Sequence, residues 1–190
     1  MTKENIELLA RPILHATIFG VAPREIMGAY QFKKIKKQVQ LEANNHCMIC
    51  DRYVPHKAGD WIYTHEVYHV DKKKKCYTLE KYVGICRECH EYIHIGRLNV
   101  LYKNGKISKD DFDRIVNRGN SLLKTVNLKK EPNDDFYAPY YLEYEGQRFM
   151  NDINPEIAIE FHKKGGNILH YKEAIRLDDE SIYYKKSKWY

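Results

Sequence analysis

Between Gln31 and Asn44 the apolar residues Phe32, Ile35, Val39 and Ala43 recur at helical spacing, with lysines filling much of the remaining surface. The pattern predicts a helix with a single core-facing stripe. From Trp61 the character changes. The segment WIYTHEVYHV (61–70) is rich in aromatic and β-branched residues, Asp71–Cys76 is polar, and Tyr77–Ile85 is strand-like again. That sequence predicts a β-hairpin with a long basic tip. After Cys86, RECHEYIHIGRL reads as a short helix stopped by Gly96. Ser108 then serves as N-cap of a helix over 109–125, with Asp110 and Asp111 in its first turn.

Residues 127–139 are dense in polar and turn-forming types, so a boundary is expected there, with a larger unit over 1–126 and a small C-terminal unit over 127–190. Beyond it YYLEYEGQRF predicts a small hairpin turning at Glu145–Gly146. A helix of about ten residues is expected to open at Asn154-Pro155 and to end at Gly165 and Gly166. The fold class is α+β.

Composition narrows the class. The chain has 190 residues, 43% hydrophobic and 31% charged, enough for one ordinary core with a small companion and too few for a large multidomain enzyme. No apolar run reaches the roughly eighteen residues of a membrane span. Glu4 and Glu7 interrupt the N-terminal segment where a signal peptide would be apolar, so a cytoplasmic protein without a membrane partner is expected. The first hundred residues hold 16 Lys and Arg against 11 Asp and Glu, and the remaining ninety hold 16 against 15. Much of the basic excess lies in two clusters, Lys33, Lys34, Lys36, Lys37 and Lys72, Lys73, Lys74, Lys75, which could hold phosphates or simply be solvated faces.

Four of the five cysteines form two CxxC pairs, Cys47/Cys50 and Cys86/Cys89. In a chain read as intracellular this spacing points to metal rather than disulfides: each turn presents two thiolates to one ion, and two turns close a tetrahedral structural zinc site. The ion would staple the end of the first helix to the base of the hairpin. His46 and His90 flank the pairs and could substitute for a cysteine. Cys76 is left over, as an ordinary thiol in a loop.

A second set of ligand types accompanies the cysteines. His90 and His94 are four apart on a helix and share a face, and His65 comes from the preceding hairpin. Together they would form a three-sided site with open positions, as a catalytic divalent metal requires. His69 lies about 13 Å from His65 along a straight strand and is read as a surface or packing histidine.

CMIC, THEVYHVD and LEKYVGICRECHEYIH together resemble the HNH endonucleases of the ββα-metal superfamily, in the phage-type version stabilised by a four-cysteine zinc. The resemblance covers about residues 23–125. It implies a ββα-metal core with flanking helices, a small C-terminal α/β appendage, and metal-dependent hydrolysis of nucleic-acid phosphodiesters, with DNA ahead of RNA. In that family two adjacent residues late in the first strand divide metal binding and proton abstraction. Here they are Thr64–His65 or His65–Glu66. The second register is favoured: His65, His90 and His94 hold a Mg²⁺, Mn²⁺, Ni²⁺ or Zn²⁺ ion, and Glu66 takes the proton, so that His65, Glu66 and His90 carry the catalysis. The family's middle asparagine is missing, its place held by Leu79, Glu80 and Lys81. The alternative is an inactive scaffold of the same fold that binds nucleic acid or a host protein, such as a phage inhibitor of a defence nuclease.

Overall fold

Two elements predicted from periodicity organise the structure. The computed structural model describes residues 1–57, 60–132 and 135–151, together with the backbone of two strands at Glu173–Arg176 and Lys185–Lys186. Helices α1 (Lys3–Ala10), α2 (Pro23–Met27) and α3 (Ala29–Ala43) precede the hairpin strands β1 (Tyr63–Asp71) and β2 (Cys76–Ile85). Helices α4 (Arg87–Ile93), α5 (Ile95–Lys103) and α6 (Lys109–Thr125) follow, then strands β3 (Tyr141–Tyr144), β4 (Gln147–Asn151), β5 (Glu173–Arg176) and β6 (Lys185–Lys186). The fold is mixed α+β. The helix expected after Asn154 lies outside the described residues.

The chain divides into two compact units assembled from separated segments. One comprises the described residues of Met1–Ile13, Lys34–Val67 and Tyr82–Asn133. The other comprises Leu14–Lys33, Tyr68–Lys81 and the described residues from 135 onward. The hairpin and α3 run from one unit into the other.

In the first unit, Leu9, Ile49, Val54, Val67, Val83, Ile85, Tyr92, Leu98 and Leu123 are buried in one cluster. Val39 and Ala43 of α3 meet the opposite face of the hairpin. A Cβ at Gly84 would lie 2.7 Å from Ala43 Cβ and 2.8 Å from Ile62 Cγ2, so a side chain there would push the helix off the strand. Gly119 in α6 has an analogous role: a Cβ would fall 2.1 Å from the Tyr92 ring, whose hydroxyl donates to Asn120 Oδ1 at 2.6 Å. The roughly 1 kcal/mol that a mid-helix glycine costs is offset by letting this aromatic pack.

Two local expectations are corrected. Gly96 does not stop the helix; the backbone bends two residues earlier, at His94 (φ −90°, ψ 45°), and Gly96 lies inside α5, where its Cβ position is 3.0 Å from Ile13 Cδ1. The α5 helix ends instead at Asn104, followed by Gly105 at φ 66°. Cys76 is not in a loop: it opens β2, is buried, and pairs in register with Tyr141. The N-cap at Ser108 is as expected, its hydroxyl accepting from the Asp111 amide.

In the second unit β3 pairs with β2 in parallel, Cys76 opposite Tyr141 and Thr78 opposite Glu143. The β3–β4 hairpin pairs Leu142 with Phe149 and Tyr144 with Gln147, turning at Glu145 (φ 51°) and Gly146 (φ 72°). Two successive positive φ values match the twist of a tight hairpin, and glycine adopts the second without strain. Backbone pairing continues from β4 to β5 and β6. Several of the late tyrosines pack this unit: Tyr140 is buried, Tyr144 lies against its core, and the Arg148 guanidinium sits 4.8 Å from the Tyr141 ring centre.

A buried polar network ties the segment after α1 to this sheet. Thr17 donates to the Tyr140 carbonyl at 2.7 Å, and Asn151 Nδ2 donates to the carbonyls of Ala16 and Phe19 at 2.7 and 2.9 Å. His15 is buried, stacked on Tyr140 at 3.6 Å, with Nδ1 2.6 Å from the Tyr77 hydroxyl. Burial lowers the His15 pKa, opposed by Asp135 and reinforced by Lys75. Because the folded value lies below the unfolded one near 6.5, the unfolded chain binds the proton first, and stability falls as pH drops below about 6.5. His15→Gln, which cannot titrate, should therefore lose less stability than the parent between about pH 7 and pH 5 in denaturant melts. An equal loss in both would show that His15 does not carry this acid sensitivity.

Candidate metal centres

The first centre lies where α3 ends. Asn44 and Asn45 take φ values of 44° and 59°, breaking the helix, and His46 N–H donates to the Ala43 carbonyl at 2.7 Å. The chain then doubles back: Cys47 N–H donates to Arg52 O at 2.9 Å, Asp51 N–H to Cys47 O at 2.8 Å, and Asp51 takes φ 57°. Met48 N–H donates to Gly84 O at 2.9 Å, which anchors this knuckle to β2. At the far end of β2, Cys86 caps α4 and Cys89 lies in its first turn.

These turns bring Cys47, Cys50, Cys86 and Cys89 into one group, their sulfurs within 4.8 Å of one another. Cys47, Cys86 and Cys89 are buried and Cys50 is partly buried. All are free thiols. The Cys50–Cys86 sulfur separation is 3.8 Å. Four sulfurs at about 2.3 Å from a tetrahedral ion sit about 3.8 Å apart, whereas a disulfide requires about 2.05 Å. The group therefore fits a structural metal. His46 is exposed, with Nδ1 3.1 Å from Asp51 O, and lies outside the cysteine group.

An arginine not singled out in the sequence supports this centre. Arg118 Nη2 donates to Cys50 Sγ at 3.3 Å, and its Nε lies 3.1 Å from Glu88 Oε2, while Arg114 pairs with the other Glu88 oxygen. Hydrogen bonds from Cys47, then Cys86 and Cys89, together with Arg118, hold the Cys50 thiol well below its usual range. Four thiolates around a divalent ion leave a net charge of −2, and a guanidinium in contact with one sulfur offsets part of it. Arg118→Met should weaken metal retention about 10–100-fold in chelator competition. Unchanged retention would make the Arg118–Cys50 contact incidental. No sequence spacing marks Arg118, because it lies on α6, 68 residues from Cys50.

The second centre is carried by β1 and α4. His65, His90 and His94 form one group with ring nitrogens within 4.8 Å of one another, all three partly buried. The His94 amide donates to the His90 carbonyl at 3.1 Å, so the helical turn that places both rings on one side survives the bend. Ring centres are 4.7 Å apart for His90–His94, 5.1 Å for His65–His94 and 5.6 Å for His65–His90, all edge-to-face. Tyr63 stacks on His90 at 5.1 Å and 20°, and Trp61 stacks on Tyr63 at 5.3 Å and 25°. Burial raises the Tyr63 phenol pKa; Arg87 and Arg97 act against that, and Glu91 and Asp60 reinforce it.

Glu66 does not share this face. Alternate residues of a strand point to opposite sides, so Tyr63, His65 and Val67 face one way and Thr64, Glu66 and Tyr68 the other. Glu66 is buried, and by this alternation it lies on the opposite side of the strand from His65. Thr64, the other candidate neighbour, is turned away for the same reason. His69 is exposed, 4.0 Å from Glu80, and outside the group.

All eight lysines of the two basic clusters are exposed, four along α3 and four at the hairpin tip between Asp71 and Cys76. Asp71 accepts from the amides of Lys73 and Lys74 at 3.0 Å, which shapes that tip. No helix among the described residues is long and apolar enough to cross a membrane. Comparison with protein-family models, with curated proteins and with solved structures yields no match.

Proposed function

We propose that this chain is a metal-dependent endonuclease of the HNH type, stapled by a zinc ion on Cys47, Cys50, Cys86 and Cys89. The observation that carries this reading is the convergence of His65, His90 and His94 on one side of a hairpin–helix unit whose ends are joined by the four cysteines. Soft thiolates at a 3.8 Å edge favour zinc in the first centre. An all-imidazole set in the second favours Zn²⁺ or Ni²⁺ over Mg²⁺, which prefers oxygen ligands.

In the second centre His90 and His94 hold the cation, and His65, facing them from the strand, accepts the proton of the attacking water. When bound, the ion supplies Lewis acidity toward the phosphodiester and charge neutralisation at the leaving oxygen. Tyr63 fixes the plane of the His90 ring. The exposed lysines at 33, 34, 36, 37 and 72–75 hold the phosphate backbone without reading bases, so affinity falls steeply with salt.

A second reading, a scaffold of this type that binds nucleic acid or a host protein without turnover, is favoured by one observation: Glu66 is on the far side of the strand and the second metal group consists of histidines alone. Digestion of supercoiled plasmid DNA and of a structured RNA, with and without added divalent ions, separates the two. Ion-dependent nicking is expected. Salt-sensitive binding with no cleavage under any ion would replace the nuclease by the binding scaffold.

A further inference from the structure

We propose that Trp61 and Tyr63 form a stacking platform for an unpaired nucleobase beside the histidine centre, making single-stranded nucleic acid the substrate class. The proposal deepens the nuclease reading and rests on it. Tyr63 and His65 alternate onto one face of β1, and Trp61, just before the strand, stacks on Tyr63. Trp61 lies nearly parallel to Tyr63, and Tyr63 nearly parallel to His90, so the rings form a ladder that ends at the histidine group. The outer rung is open: Trp61 is 37% exposed although indole is among the side chains that gain most from burial. An aromatic held flat against a second ring and left accessible offers a π-surface on which another ring can continue the stack.

A nucleobase is the occupant that fits. Stacking a base on an aromatic side chain is worth about 1–3 kcal/mol and tolerates any base. Charge complementarity points the same way. Of the two arginines whose charge reaches Tyr63, Arg97 is already held by Glu91 at 2.7 Å. Arg87 is exposed and in no ion pair among the described residues, which leaves its guanidinium available to the phosphate attached to a stacked base. In a duplex both faces of each base are already covered, so the platform discriminates for unpaired strands.

The chain has two tryptophans, and replacing Trp189 by Phe leaves Trp61 as the sole indole reporter. Short single-stranded DNA, single-stranded RNA and duplex DNA are titrated against this full-length protein, with binding followed independently by anisotropy of a labelled strand. Single strands should quench Trp61 emission, the DNA and RNA arms showing which sugar is accepted, and duplex should quench little. Trp61→Ala should weaken single-strand binding about tenfold while leaving duplex binding and metal content unchanged and costing only the small thermal destabilisation of one lost aromatic stack, and Trp61→Phe should restore much of the binding loss. Unchanged Trp61 emission at saturating single strand would overturn the platform, as would equal losses for duplex and single strand. These results stand apart from the fate of the nuclease reading. Ion-dependent cleavage with unaltered Trp61 emission sinks only the platform, and quenching without cleavage under any ion sinks only the enzyme.

Discussion

Replacing Cys86 by serine is expected to cost this chain its fold. Cys86 is fully buried, sits where β2 passes into α4, and with Cys47, Cys50 and Cys89 forms a group of the size that one tetrahedral ion requires. A serine hydroxyl is a harder, far weaker zinc ligand than a thiolate, and its loss leaves three sulfurs around an open position. Structural zinc supplies about 10–16 kcal/mol of apparent binding free energy in zinc-finger peptides, comparable with the whole stability of a small domain at about 5–15 kcal/mol. Cys50 and Cys86 are 36 residues apart, so an ion held by the four cysteines would close a long loop that the core must otherwise close alone. Soluble yield and the cooperative melt should both collapse in Cys86→Ser, and chelation at elevated temperature should reproduce the effect. Purified parent should carry about one zinc per chain by metal analysis. Cys76→Ser is the control: Cys76 is equally buried but outside the group, and its replacement should cost about 1–2 kcal/mol. A Cys86→Ser protein that melts like the parent would mean that the cysteines hold no structural metal.

His90→Ala is expected to do the opposite, removing cleavage by about 10²–10³-fold or more with little loss of stability. His90 is only partly buried, and its replacement forfeits one aromatic stack with Tyr63, worth about 0.5–1.5 kcal/mol. The contrast with Cys86→Ser separates a centre that acts from a centre that holds. His65→Ala should lower the rate while leaving the ion on His90 and His94, detectable as retained metal with lost turnover. Glu66→Gln decides the strand-face argument. With Glu66 buried and on the opposite side of the strand from His65, cleavage should persist within a few-fold, and what changes should be the melting temperature. If Glu66→Gln abolishes turnover with metal intact, the proton acceptor lies on the other side of the strand and the assignment to His65 fails.

What periodicity and spacing made legible is local. The apolar stripe Phe32–Ala43, the hairpin around the basic tip, the Ser108 cap and the Glu145–Gly146 turn are each written within a few residues, because helix, strand and turn preferences act over one or two turns of chain. The grouping of the cysteines and of the three histidines was also readable. A CxxC turn and an i, i+4 pair carry their geometry in their spacing, and a hairpin between them closes the remaining distance. Gly96 misled because a glycine near a helix end can serve as a stop or as a contact point, and only the approach of Ile13 shows which.

Other features depend on contacts that leave no short-range trace. Segments 14–33 and 68–81 join the described residues from 135 onward through the parallel pairing of β2 with β3 and through hydrogen bonds of Thr17 and Asn151 that link residues more than 120 positions apart. Arg118 reaches Cys50 from a distant helix. The side of the strand that Glu66 occupies was implicit in the two-residue alternation once His65 was placed in the histidine group. That Glu66 is buried there is a matter of packing. The CxxC turns and the i, i+4 histidine pair could be read along the chain because their geometry is local, whereas helices α1 and α2 carried no signal strong enough to be read, and which side chains share a face with the clusters depends on where distant apolar surfaces find burial.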